Sequence, residues 1–207
     1  MNIVGVVLAG GQSKRMGGAH KGMLKLKTKS LSLHVLDRLS IQTEEIILNV
    51  NVQENLYKQF NLPIVRDSIT DYAGPLAGVL AGMDWAYENG YNYILTVAVD
   101  TPFFPKDFLK KCKKTLIKDN CSIVLAYTTD KKRKSKNLHP TFGLWDVSLR
   151  NDLRKSLNGG IRKMLAWTDK HKVSYCKFSD TKFNPFFNIN KPDDLKEAEA
   201  IIEKGWV

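Results

Sequence analysis

Ile3-Val-Gly-Val-Val-Leu8-Ala-Gly-Gly-Gln-Ser-Lys-Arg-Met-Gly-Gly18 joins two kinds of sequence. Its first part is apolar and β-branched, the pattern of a strand buried on both faces of a parallel sheet. Its second part is rich in glycine and positive charge. Glycines at a strand end let the backbone approach a phosphate closely, and loop N–H groups can cradle it. Lys14, Arg15 and Lys21 surround the same loop with cations. The spacing fits neither G-x-G-x-x-G nor G-x-x-x-x-G-K-[ST]. A glycine turn alone serves geometry in many connections. Two glycine pairs framing two cations directly after a first strand tilt the reading toward phosphate binding.

Outward from this stretch, apolar runs recur at Ile46 to Val52, Tyr93 to Val99, Ser122 to Ala126, Thr141 to Trp145 and Val173 to Phe178. Between them, residues at helical spacing form stripes: Leu33, Leu36 and Leu39; Leu76, Val79, Leu80, Met83 and Tyr87; Phe108, Leu109, Cys112 and Leu116. Pro102 and Pro105 mark the approach to the third stripe. Asn190-Lys-Pro-Asp-Asp-Leu predicts a capped helix start, with Asn190 as the candidate cap, and that helix stops near Gly205. Strand and helix alternate without internal repeat or linker. The expected fold is therefore a single-domain, three-layer α/β/α sandwich, Rossmann-like, with a mostly parallel sheet and right-handed crossovers.

The 207 residues are 43% hydrophobic and 26% charged, ordinary for a globular protein with a real core. No apolar run approaches the roughly 20 residues that span a bilayer. The N-terminus lacks a basic segment before its apolar run, so a cytoplasmic protein without a secretory signal is expected. Cys112, Cys121 and Cys176 are too scattered for a disulfide framework or zinc site and read as reduced thiols. A net charge of +11 points to anionic partners: polyphosphates, nucleic acid or a phosphorylated cofactor. Asp100 follows a strand, where a hard oxygen ligand suits Mg2+. A cap for the helix after Thr101 and Pro102 explains it equally well.

LAGGQSKRMGG followed by HKGMLKL resembles the opening of the molybdenum cofactor guanylyltransferases, an outline shared with sugar-phosphate and isoprenoid nucleotidyltransferases. Further blocks of that family are matched in order. They are Asp67-Ser-Ile-Thr-Asp-Tyr-Ala-Gly-Pro-Leu-Ala-Gly78, Val99-Asp100-Thr-Pro-Phe-Phe-Pro, His139-Pro-Thr and Phe187-Asn-Ile-Asn-Lys-Pro-Asp-Asp-Leu. The resemblance implies a Mg2+-dependent transfer of GMP from GTP to the terminal phosphate of molybdopterin, with pyrophosphate released. Residues 1–207 would form one nucleotidyltransferase domain, its N-terminal part binding GTP and Mg2+ and its C-terminal part molybdopterin.

By the same resemblance, the backbone of Leu8, Ala9 and Gly10 holds the nucleotide with Lys21, and Asn49 and Asp67 meet its nucleoside end. Arg15, Lys21 and Asp100 form the catalytic set, with Asp100 as metal ligand. Gly78, His139, Asn188 and Asn190 receive the acceptor. Transient complexes with molybdenum-insertion proteins or molybdoenzyme chaperones are implied, and no membrane. His20 departs from the pattern, because the family carries aspartate there. Arg162 and Lys163, near Gly159-Gly160, could reach a phosphate or simply begin a helix. The run Lys131-Lys-Arg-Lys-Ser-Lys136 reads as a solvated loop between strands, with attraction of an anionic ligand as the functional reading. Two rivals remain. One is a CTP- or UTP-dependent transferase acting on a sugar or polyol phosphate. The other is a non-catalytic nucleic-acid-binding or cofactor-carrier protein. Against nucleic acid stand the missing recognition-helix motif and the missing aromatics within the basic run.

Overall fold

β1 (Ile3–Leu8) is an inner strand of the sheet because its valines leave no polar side chain to solvate: Val4, Val6 and Val7 are fully buried. The computed structural model describes residues 1–11, 20–69, 74–130, 135–180 and 182–207. After β1 come β2 (Lys25–Leu26), β3 (Lys29–Ser30), α1 (Leu31–Ser40), β4 (Glu45–Asn49), β5 (Ile64–Val65), α2 (Pro75–Glu88) and β6 (Tyr93–Ala98). The second half adds α3 (Phe108–Asp119), β7 (Ile123–Asp130), β8 (Ser135–Asp146), α4 (Arg150–Asn158), α5 (Met164–Thr168), β9 (Val173–Lys177) and α6 (Pro192–Glu203).

The main sheet has seven strands in the order β5-β4-β1-β6-β8-β7-β9. β1 pairs in parallel with β4 and β6, β4 with β5, and β7 with β9. β8 is the exception, antiparallel to both β6 and β7. The sheet is thus mostly parallel, as expected. The apolar run Thr141 to Trp145 is only the inner end of β8. Its outer residues, Ser135 to Asn137, are exposed and carry no hydrophobic signal. A separate two-stranded hairpin, β2 with β3, places Lys25 on a strand, but Lys27 sits in the turn with φ 55°.

Each face of the sheet has its own apolar layer. Val7, Leu48, Val97 and Val124 meet Val35 and Leu39 of α1 and Phe108, Cys112 and Leu116 of α3. Val6, Ile47, Ile94 and Leu125 meet Leu76, Leu80 and Met83 of α2, Leu153 and Leu157 of α4, and Trp167 of α5. Full burial of a side chain of this size contributes about 1.5–3 kcal/mol. α6 covers a third cluster with Leu26, Leu31, Phe103 and Ile189. All three cysteines are free and buried.

Two cap readings change. α3 begins at Phe108 with Asp107 as its N-cap, so Asp100 lies well before the helix and caps nothing there. α6 is capped at Lys191 rather than Asn190, and Asp194 Oδ2 accepts the backbone N–H of both Asn190 (2.7 Å) and Lys191 (2.9 Å). That carboxylate satisfies donors a helix start otherwise leaves orphaned. The Asn190 side chain is released for another partner.

Candidate active site

Of the described side chains singled out by the sequence, Lys21, Asp100 and Asn190 form one group and Asn49 and Asp67 another, at the carboxyl ends of β1, β4 and β6. From β1 the chain proceeds to β4 and β5 on one side and then returns to β6 on the other. Open α/β sheets bind ligands at such a switch point.

Lys21 opens a short 3-10 turn, Lys21–Met23, whose Gly22 is buried. A Cβ at Gly22 would collide with the Tyr57 hydroxyl and Ser32 Oγ, so only glycine lets the turn settle onto them. Tyr57 is 1% exposed, and burial pushes its hydroxyl up to about 12. From this seat Lys21 Nζ donates to Asp100 Oδ2 at 2.7 Å and also to Asn190 Oδ1. The ion pair is largely shielded, with side chains 19% and 17% exposed. Asp100 Oδ1 accepts from Thr101 Oγ1 at 3.3 Å, and the Asp100 carbonyl accepts from the Ile189 N–H at 2.8 Å. The closing segment is thereby tied to the strand end that carries Asp100. His20, where the resembling family has aspartate, sets its ring edge-on to Tyr57, with centroids 6.4 Å apart.

A second group lies at the end of β4. Asn49 is 3% exposed, and its amide donates to Asp67 Oδ1 (2.8 Å) and to the Val65 carbonyl (3.4 Å). Asn51 donates to Asp67 Oδ2 (2.7 Å) and accepts from the Asp67 N–H (2.9 Å). Asp67 is therefore the hub of an amide network and not an idle turn residue. The Leu8 carbonyl accepts from the Val99 N–H and the Ala9 N–H donates to the Asn49 carbonyl, so these two groups are spent on the sheet. Gly10 is where the chain leaves it. Gly78, expected beside an acceptor, is buried in α2, where a Cβ would overlap Asn49 Oδ1 and Leu8 Cδ2. The close approach it permits is that of helix to sheet.

The third group is farther off, beside β7. His139 Nε2 lies 3.0 Å from Thr128 Oγ1, and its ring stacks on Phe186 with centroids 4.4 Å apart. Burial holds the imidazole down at about 4, so it is neutral at physiological pH. Asn188 is exposed. Arg162 Nη1 donates to the Leu157 and Ile161 carbonyls, closing the end of α4, and Lys163 caps α5. Arg15, with Lys14 and the rest of residues 12–19, lies outside the described residues, as do 70–73 of the second block and 131–134 of the basic run. Lys136 Nζ lies over the rings of Tyr127 and Tyr175, 5.1 Å from each centroid. A cavity of about 500 Å³ lined by Met1, Asn2, Gln42, Tyr91 and Lys113 opens at the amino ends of the strands, away from all three groups.

Sequence reasoning missed Asn51, Tyr57 and Asp194. Asn51 stands two residues after Asn49, and extended chains put such residues on one side. Asp194 follows Lys191 at capping-box spacing. Nothing in the sequence singled out Tyr57. As to metals, the described residues gather no group of three or more His, Cys, Asp or Glu. A lone carboxylate at a strand end suits a hard cation that draws its other ligands from substrate phosphates and water, and it suits zinc or calcium poorly.

A shielded Lys–Asp pair at the switch point of a doubly wound sheet, with Gly10 just past the end of β1, marks an α/β protein of the nucleotide-binding class. The chain belongs to the MobA-like NTP transferase domain family, matched over residues 5–173. It is 36% identical over 202 residues to a molybdenum cofactor guanylyltransferase of Bradyrhizobium sp., covering 96% of this chain and 92% of that protein. It is 35% identical over 200 residues to one of Nitrobacter hamburgensis, covering 95% and 93%. The fold matches molybdopterin-guanine dinucleotide biosynthesis protein A from Archaeoglobus fulgidus with a TM-score of 0.75 at 25% identity, covering 97% of this chain and 99% of that one. No helix among the described residues is long and apolar enough to cross a membrane.

Proposed function

We propose that this chain transfers GMP from GTP to the terminal phosphate of molybdopterin, releasing pyrophosphate, with Mg2+ as cofactor. The observation that carries the reading is Lys21 Nζ set between Asp100 and Asn190 at the switch point. It is supported by relatives of about this length that carry the guanylyltransferase name.

The acceptor phosphate is already an anion, so attack on the α-phosphorus needs no protein base. Catalysis reduces to positioning and charge neutralisation. Lys21, with Arg15, offsets charge gathering on the α-phosphoryl group and the leaving pyrophosphate. Asp100 is the residue that would hold Mg2+, whose chemistry there is neutralisation of the nucleotide phosphates. Gly10 admits the nucleotide backbone-close at the end of β1. Asp67, oriented by Asn49, takes the guanine end. The acceptor lies toward Asn188, Asn190 and the neutral ring of His139. In this reading residues 1–207 are one transferase domain divided between nucleotide and acceptor halves. It works in the cytoplasm and passes its product on in transient complexes with molybdenum-insertion proteins or molybdoenzyme chaperones.

Thermal unfolding with GTP, ATP, CTP or UTP, each with Mg2+, tests the nucleotide half. A ligand at a hundred times its dissociation constant adds about 2.7 kcal/mol of stability. Stabilisation by GTP ahead of the others, followed by pyrophosphate release once molybdopterin is added, is the expected result. Preference for CTP or UTP would move the chain to transfer onto a sugar or polyol phosphate. Salt-sensitive nucleic-acid binding without response to any nucleotide would sink the enzymatic reading.

A further inference from the structure

Asp67 has two carboxylate oxygens, and each is already held from one side by an amide. Asn49 Nδ2 reaches Oδ1 at 2.8 Å, and Asn51 Nδ2 reaches Oδ2 at 2.7 Å. Only Asn51 also grips the Asp67 backbone, whose N–H donates to Asn51 Oδ1 at 2.9 Å. Side chain and backbone of one residue are therefore closed on a single carboxamide, a two-bond ring that fixes where the carboxylate points. The same Asn51 amide lies 3.5 Å from the Gly10 carbonyl, and a Cβ at Gly10 would overlap it. Asn51 thus spans the start of the glycine loop and the Asp67 carboxylate, and it is only partly buried.

We infer that Asn51 is a positioning residue for nucleobase selection: it aims the free lone pairs of Asp67 at the bound base. A carboxylate offers about four lone-pair sites. With two taken from the protein side, the remaining pair presents two acceptors in one plane. Guanine matches them with adjacent donors, N1–H and N2–H2. Adenine puts an acceptor at N1, and hypoxanthine lacks the N2 amine. A carboxylate free to rotate would lose that discrimination, because hydrogen bonds to charged groups depend on alignment. The inference rests on the reading of Asp67 as the guanine contact, so its test must separate the two.

The measurement is the dissociation constant for GTP and for inosine triphosphate, with turnover at saturating GTP, on the wild type, Asn51→Ala, Asn51→Asp and Asp67→Asn. Asn51→Ala is expected to weaken GTP about tenfold and to shrink the GTP-over-ITP preference by a similar factor, with saturated turnover within about twofold. Asn51→Asp keeps the acceptor for the Asp67 N–H but sets a carboxylate against a carboxylate, so its loss should be larger. Because it keeps that bond, it also serves if the alanine variant folds poorly. Melting temperatures that fall while the GTP-to-ITP ratio stays at the wild-type value in both Asn51 variants would overturn the inference, leaving Asn51 a loop staple. If Asp67→Asn also retains the ratio, the guanine role of Asp67 falls with it. If Asp67→Asn alone abolishes the ratio, only the role of Asn51 is lost.

Discussion

Lys21 meets Asp100 through an ion pair and Asn190 through its amide oxygen, whereas His139, Thr128 and Phe186 meet through a hydroxyl and two stacked rings. The first group is assembled across the chain, with Lys21 79 residues from Asp100 and 169 from Asn190, whereas Thr128 and His139 stand 11 residues apart on paired strands. The first keeps a full ion pair because each charge has a partner and about a fifth of each side chain still sees solvent. Among the described residues the second gives its imidazole no carboxylate partner, and burial strips the proton instead. The fold thus keeps a paired charge at the switch point and a neutral, stacked imidazole beside β7.

The sharpest way to break this contrast is to remove the charge. Asp100→Asn should lower turnover roughly 10²–10³-fold, and Lys21→Ala at least tenfold, on the order of 3 kcal/mol at the barrier. Initial rates of pyrophosphate release measure both. In the double variant the losses should fall short of additive, since the two side chains act as one unit. Near-normal rates in either single variant would show that the pair is merely structural.

A smaller effect probes the neutral group. The native His139 titrates near 4 and an unfolded histidine near 6.5. Between those values the unfolded chain binds more protons, so stability is intact above about pH 6.5 and is lost as pH falls toward 4. Urea unfolding at pH 7 and pH 5 should differ by about 2 kcal/mol from this group, and His139→Gln should flatten that slope. A slope that the substitution leaves unchanged would mean that His139 takes up its proton as readily in the fold as in the unfolded chain. The smallest effect is expected at the joint between the closing segment and the charged cluster. Asp194→Ala removes the acceptor of the Asn190 and Lys191 N–H groups and should cost about 1 kcal/mol of stability. Its turnover should fall less than that of Lys21→Ala, because Asn190 is loosened and not deleted. A loss as large as that of Lys21→Ala would make the closing segment, and not the lysine, the controlling element.

Much of this arrangement is legible in the sequence. The runs of β1, β4 and β6 are nearly continuous in apolar residues, with Thr96 the polar residue inside β6 and Glu45 and Asn49 at the ends of β4. Two-sided burial explains that pattern, and the layered fold follows from the alternation of these runs with helical stripes. β5 and the outer part of β8 were not legible. One is two residues long, and the other stands in solvent, where no hydrophobic pattern is required. Asp100 and Asn190 each carried a helix-cap reading on local spacing, and caps do obey local rules. Which residue actually caps depends on where the backbone enters the helix. That entry point moved by one residue at α6 and by several at α3.

The sequence by itself determined the α/β alternation, the glycine loop after the first strand and the family, because burial pattern and short motifs are properties of neighbouring residues. Only the tertiary structure decided that Asn190 reaches Lys21, that Asn51 closes on Asp67 and that Gly78 serves packing. These depend on which strand ends the crossovers bring together, and no local period in the chain records that.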